Sequence, residues 1–342
     1  MKALLTDNKR KLWLADIAPP PLDDYDCLVH VEACAFCHST DRHIVQGTFL
    51  SSFHNPSVLG HESVGVVVQA GAKVRSLQLG DRVLRAYALY PGEVHEGIGS
   101  AWGAFAQFGK VKDWRAMVQD GALSEDAVPG VFKYMQQVPA DIPLEKSLLM
   151  ITQKEILSAC AQIDPVAGHS FLIAGAGITA CMFGLFLKLR GAARVTMAAR
   201  RPEPLEFALH NGVVDDVCLI DDVASPKRDY DGLVETTGSI QAARKLAERA
   251  LGDGGAIYSY AVYEGMAAEG FFAPLSERWR FARINPAEAS AHDEVVAMLR
   301  SGQLDPQPFI TGRYSFAQWE AAWGSVINKT SLKTVIFGEP AP

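Results

Sequence analysis

Cys37, His61 and Glu62 offer a thiolate, an imidazole and a carboxylate, three groups that a borderline-soft cation such as Zn2+ accepts as ligands. Three protein ligands leave one tetrahedral position open, which a catalytic zinc needs and a structural one does not. Ser39, Thr40 and His43 follow the cysteine closely, so hydroxyls and a titratable imidazole accompany the candidate metal group. Taken singly, a buried cysteine is ordinarily a small hydrophobe and a histidine a hydrogen-bonded core or surface residue. The spacing makes the set specific. Cys34-Ala35-Phe36-Cys37-His38-Ser39-Thr40-Asp41-Arg42-His43 is followed by Gly60-His61-Glu62, which opens the apolar run Ser63 to Val68. Gly80-Asp81-Arg82-Val83 comes next.

A second chemical motif lies further on. Ser170 to Ala174 is a short apolar run that reads as a strand. Gly175-Ala176-Gly177-Ile178-Thr179-Ala180 follows, then a helical pattern from Cys181 to Arg190, then a strand from Arg194 to Ala199. Strand, glycine turn, helix and strand make a dinucleotide-binding unit. Gly175 supplies the tight turn and Gly177 lets the backbone approach the pyrophosphate. Ala180 is small enough for close helix–strand packing, and the helix N-terminus offers its N–H groups to the phosphates. An NAD site usually carries an acid at the end of the second strand for the ribose 2′-hydroxyl. Here that place holds Ala199, then Arg200 and Arg201. Guanidinium groups suit a phosphate dianion, so the pattern favours NADP(H) over NAD(H).

The motifs C-x-x-C-x-S-T-D, L-G-H-E-S-V-G and L-G-D-R-V resemble the catalytic domain of the zinc-dependent medium-chain alcohol and polyol dehydrogenases. The resemblance runs from Met1 to about Phe337 in the family's order of elements. It implies an α/β protein of two domains. One is a GroES-like β-barrel catalytic domain over residues 1–150 and 286–342. The other is a Rossmann domain, a doubly wound parallel sheet, over residues 151–285, with the active site between them. It implies reversible oxidation of a secondary alcohol, polyol or sugar-like hydroxyl to a carbonyl with NADP(H). One catalytic zinc is expected on Cys37, His61 and Glu62. No structural zinc is expected, because no cysteine stands between Cys37 and Cys160 to build the family's four-cysteine lobe. A hydroxyl and then His43 would pass the alcohol proton to solvent, and Asp41 would orient His61 from behind. Ser39 and Thr40 both qualify as that hydroxyl. The Thr-Asp-x-His unit favours Thr40. Lys333 matches a basic residue near the cofactor pyrophosphate. A further family ligand position aligns with Ile151, which cannot bind metal. Glu155, one helical turn later, is the candidate to approach the zinc or the nicotinamide. The family also implies a homodimer or homotetramer.

The elements that must position these groups follow from pattern. Lys2 to Leu5, Leu12 to Leu14 and Cys27 to Val31 read as strands of barrel-like material, and residues 63–85 as two more. Trp102 to Ala106 reads as a return strand. Later strands are expected at Val213 to Ile220, Gly232 to Thr237, Gly255 to Ser259 and Thr330 to Ile336. The 342 residues favour two domains, and 49% hydrophobic content supports a large core. A net charge of −7 with mixed signs argues against nucleic acid as a partner. The uncharged run Ser170 to Leu187 is interrupted by Gly175, Gly177 and Gly184, so a strand and a packed helix are expected rather than a membrane span. Six scattered cysteines and no signal peptide point to a reducing cytoplasm. Cys34 and Cys37 form a CxxC, but a zinc ribbon needs a second pair and a redox motif a thioredoxin-like context. Two rival functions remain. A zinc-free NADPH reductase of activated C=C bonds would have little use for the three ligands together. A non-catalytic nucleotide-binding protein would leave them idle.

Overall fold

The computed structural model describes residues 1–222, 229–263, 270, 272–275 and 277–339. The chain forms two compact units, Met1–Ile151 with His292–Pro342, and Thr152–Ala291.

The first unit is built on the long strand Asp26–Phe36. It pairs antiparallel with Glu62–Ala70 on one side and with Thr334–Phe337 and Phe108–Lys112 elsewhere along its length. Cys27, Val29 and Val31 alternate into the core. A register shift between Val31 and Ala33 then moves the alternation by one, so Cys34 and Phe36 face the same core. One extra residue in a strand flips the face of all that follow. The chain therefore leaves the strand end with Phe36 anchored inward and Cys37 next to come off it. A second sheet runs Leu12–Asp16, Lys2–Thr6, Ser57–Leu59, Ile98–Ala101, Val94–His95. Trp102 to Ala106 is not the return strand: it makes only isolated bridges, Leu59 to Trp102 and Ala3 to Ala106. Trp102 and Gly103 have φ of +65° and +79°, which breaks an extended run, and Phe108–Lys112 returns instead.

The second unit is a six-stranded, wholly parallel sheet. Its spatial order is Asp216–Leu219, Arg194–Ala199, Ser170–Ala174, Tyr230–Glu235, Leu251–Ser259, Arg280–Arg283. Counted in sequence, this is third, second, first, fourth, fifth, sixth, the order of a dinucleotide-binding sheet. The run Ser170 to Leu187 resolves into a strand and the twelve-residue helix Ile178–Leu189. Among the described residues no helix is long and apolar enough to cross a membrane. The edge strand Arg280–Arg283 had no sequence signal, because its Arg-Phe-Ala-Arg pattern lacks an apolar run and edge strands carry charge.

Asp113 illustrates how the first unit fastens its loops. The residue is 1% exposed. Its carboxylate accepts from the N–H groups of Arg75 (2.7 Å), Ser76 (2.8 Å) and Ala116 (3.0 Å) and from the Ser76 hydroxyl (2.6 Å), capping the helix Trp114–Gln119. Burial pushes its pKa up, but the donors from Ser76, Arg75 and Ala116 outweigh it and hold the carboxyl below the ordinary 3.8. A depressed folded pKa means the stabilisation is full above 3.8 and is lost as pH falls through the lower folded value. Asp113→Asn should cost about 2 kcal/mol at pH 7, read by urea unfolding. A loss at pH 7 no greater than at pH 2.5 would show that the charge is not what matters.

Candidate functional site

Gly60 places the histidine. Its φ is +99°, and a Cβ there would sit 2.2 Å from the Phe105 ring. Only glycine lets the chain turn so close to that ring. His61 follows, its carbonyl accepting from the Arg85 guanidinium at 2.8 Å. Glu62 begins the strand Glu62–Ala70 opposite Ala35. Cys37 lies just beyond the end of the partner strand, so the pairing brings the three groups together. Their ligand atoms all lie within 4.8 Å of one another, the one such group of three among the described residues. A tetrahedral cation with bonds of about 2.0–2.3 Å sets its ligand atoms roughly 3.3–3.8 Å apart. Small side-chain adjustments close that difference, and the donor types fit zinc.

Asp41 ties two members of this group. It is fully buried. Its Oδ2 accepts the Cys37 N–H at 2.9 Å, and its Oδ1 lies 3.3 Å from His61 Nδ1, off a hydrogen-bond line. Burial pushes the His61 imidazole pKa down, but Asp41 and the Cys37 sulfur beside it hold it well above its ordinary value.

Lys333 is buried, not a surface lysine. Its ammonium donates to both Glu62 oxygens, at 2.7 and 2.6 Å. The sequence expectation set this lysine beside a cofactor diphosphate. A link across 271 positions has no signal in a linear reading. Burial pushes the Glu62 carboxyl up, yet Lys333 and His61 outweigh that and lower it.

The candidate relay groups sit on the helix Thr40–Gln46 and its entry. His43 is buried, with Nδ1 2.7 Å from the Thr48 hydroxyl, a partner that sequence did not flag. Ser39 caps the helix with its backbone and makes no side-chain cap bond. Ser39 and Thr40 are both half-buried, and the geometry does not choose between them. His38, unremarked in the sequence, has an unpartnered Nε2; burial and then Lys333 push its pKa down to about 4. Cys34 lies within its strand among core residues, and both CxxC thiols are free.

In the second unit the glycine turn stands at the carboxyl end of Ser170–Ala174. The neighbouring strand Tyr230–Glu235 lies on the side where strand order reverses. This is the position at which such sheets bind ligands. Gly175 has φ +113°, and a Cβ there would meet the Thr236 hydroxyl at 2.5 Å. Thr236 donates its hydroxyl to Ala174 O at 2.7 Å. Glu235, fully buried, holds this turn by accepting from Thr237 and Gly238 N–H groups and from the Tyr263 hydroxyl. Gly177 caps the helix Ile178–Leu189, and Ala180 is fully buried within it. Arg200 and Arg201 are exposed just past Arg194–Ala199, Arg201 capping the next helix. Glu155 is half-buried on the helix Met150–Cys160.

Removing Lys333 takes from buried Glu62 the ammonium bonded to both of its oxygens. Lys333→Met should cost about 3–5 kcal/mol by chemical denaturation. Glu62→Gln with Lys333→Met together should cost less than the two singles added. Additive costs would refute the coupling.

Residues 23–120 match the family described as alcohol dehydrogenase GroES-like domain. D-arabinitol dehydrogenase 1 of Uromyces fabae is 26% identical over 354 residues, covering 98% of this chain and 97% of that one. L-threonine 3-dehydrogenase of Streptomyces coelicolor is 29% identical over 356 residues, covering 98% and 99%. Among solved structures, benzyl alcohol dehydrogenase from Acinetobacter calcoaceticus superposes with a TM-score of 0.78 at 18% identity, covering 99% of each chain, a likeness of fold alone.

Proposed function

We propose a cofactor, a metal and a reaction for a chain that belongs to the zinc-dependent medium-chain dehydrogenase/reductase superfamily and is a dehydrogenase of its alcohol and polyol type. The reaction is hydride transfer between NADP(H) and a secondary alcohol, polyol or sugar-like hydroxyl. Cys37, His61 and Glu62 hold one zinc ion. The observation that carries this reading is their convergence within 4.8 Å, with Asp41 against two of them.

A zinc ion so held would polarise the substrate oxygen and lower the alcohol's pKa, with nicotinamide as hydride partner. The chain's own groups do the rest. Asp41 fixes the Cys37 backbone and faces the His61 ring, so both ligand side chains keep their aim. The Ser39 or Thr40 hydroxyl takes the alcohol proton and His43, steadied by Thr48, passes it on. Gly175, Gly177 and Ala180 shape the diphosphate seat, and exposed Arg200 and Arg201 meet a 2′-phosphate. Glu155 completes the set as the second unit's own candidate beside the nicotinamide, while Lys333 stays with Glu62.

One observation favours a second reading. The Lys333 ammonium by itself can neutralise Glu62, as a zinc-free reductase of activated C=C bonds would allow. Metal analysis separates the two. The purified protein should carry about one zinc per chain, and Cys37→Ser should lose it together with about 100-fold or more of kcat on an alcohol. Full activity in metal-free protein would refute the zinc reading. The kcat/KM ratio for NADPH over NADH should exceed one, and Arg200→Ala with Arg201→Ala should lower it about tenfold or more. A wild-type ratio below one would refute the cofactor assignment.

A further inference from the structure

Three aromatic side chains form one cluster, and its member Trp102 stands beside the candidate ligand His61. The Phe49 and Phe53 rings lie 5.8 Å apart, and each meets Trp102, at 5.7 and 5.6 Å. Trp102 in turn lies 5.4 Å from the imidazole of His61. All three are half-buried and packed against the core. Trp102 holds φ at +65°. A bulky residue in the left-handed region is strained, and such strain persists where surrounding structure enforces it. Here the following Gly103 at +79° and the bridge to Leu59 fix the indole on the histidine.

We infer that this wall selects secondary alcohols, and the matching ketones, whose carbinol carbon carries an aryl or comparably apolar group, over polyols. The inference rests on the dehydrogenase reading above and narrows its substrate. A group attached beside the reacting carbon meets ring carbon on this side of His61. An apolar group there loses water at no cost in hydrogen bonds. A hydroxyl placed against the rings gives up its water partners and finds few in return. The Trp102 indole N–H, which has no hydrogen bond among the described residues, can serve one oxygen, not the run of hydroxyls on a polyol. Sites that cannot pair a substrate hydroxyl discriminate against it by the free energy of the lost bonds.

The test uses the holoenzyme with NADP+ and compares 1-phenylethanol with xylitol. The kcat/KM ratio should favour 1-phenylethanol by about tenfold or more. Trp102→Ala should shrink that ratio about tenfold, chiefly through KM for the aryl substrate, and Trp102→Phe should restore most of it. A preference for xylitol, or a Trp102→Ala variant that lowers both substrates alike, would overturn the inference while leaving the dehydrogenase reading intact. If neither alcohol is oxidised, that reading fails, and calorimetry with acetophenone still decides this one. Binding that weakens about tenfold in Trp102→Ala supports the wall, and absence of binding to the wild type overturns it.

Discussion

A carboxylate sealed from water must meet positive charge or give up its own. Glu62 meets it in Lys333, and the first unit is arranged so that it can. Three strands make the encounter. Glu62 opens one, Phe36 closes the next, and Lys333 immediately precedes the third, Thr334–Phe337. The registers Ala35 opposite Glu62 and Phe36 opposite Thr334 bring all three ends to one edge. Cys37, one residue past Phe36, arrives at the same edge. The last strand of the chain is therefore part of the site, although the other groups come from its first 62 residues.

The same edge explains the company Glu62 keeps. His61 is brought in by the sharp turn at Gly60, which the Phe105 ring permits only without a side chain. Asp41 reaches back from the first turn of its helix to the Cys37 N–H and the His61 ring. Two acids and a lysine thus surround an imidazole and a thiol, with Lys333 bonded to Glu62 and Asp41 bonded to the Cys37 backbone. The indole of Trp102 closes one side. Preorganisation of this kind keeps side chains from collapsing onto each other when no ligand is bound.

Much of this was legible in the sequence where the signal was local. Gly60-His61-Glu62 and Cys37-to-His43 carry their types and spacing on one short stretch each, and the glycine turn sits where strand-turn-helix patterning placed it. What was not legible was long-range or off-pattern. The Lys333–Glu62 pair joins the two ends of the chain, and only the strand register reveals it. Thr48 as partner of His43 depends on how the helix Thr40–Gln46 ends. Trp102 to Ala106 carries apolar residues in strand-like sequence, but two successive positive φ values cancel the extended conformation that composition suggests. Arg280–Arg283 failed in the opposite sense, a real strand disguised by charge at a sheet edge.

The second unit buries a carboxylate too, and the contrast is physical. Among the described residues Glu235 bonds to no cation, and its partners there are the hydroxyls of Thr237 and Tyr263 and two backbone N–H groups. Burial outweighs those neutral donors, and its pKa is raised. For Glu62, burial is outweighed by a full charge, and the pKa is lowered. Dipoles at this depth hold a carboxyl in place without fully compensating its charge, whereas an ammonium compensates it. Glu235 is thereby suited to clamp a turn, since its Oε1 takes the bonds of the turn that packs on Gly175 and its Oε2 that of Tyr263. Glu62 is favoured in its ionised form, the condition a carboxylate must meet to ligate a cation.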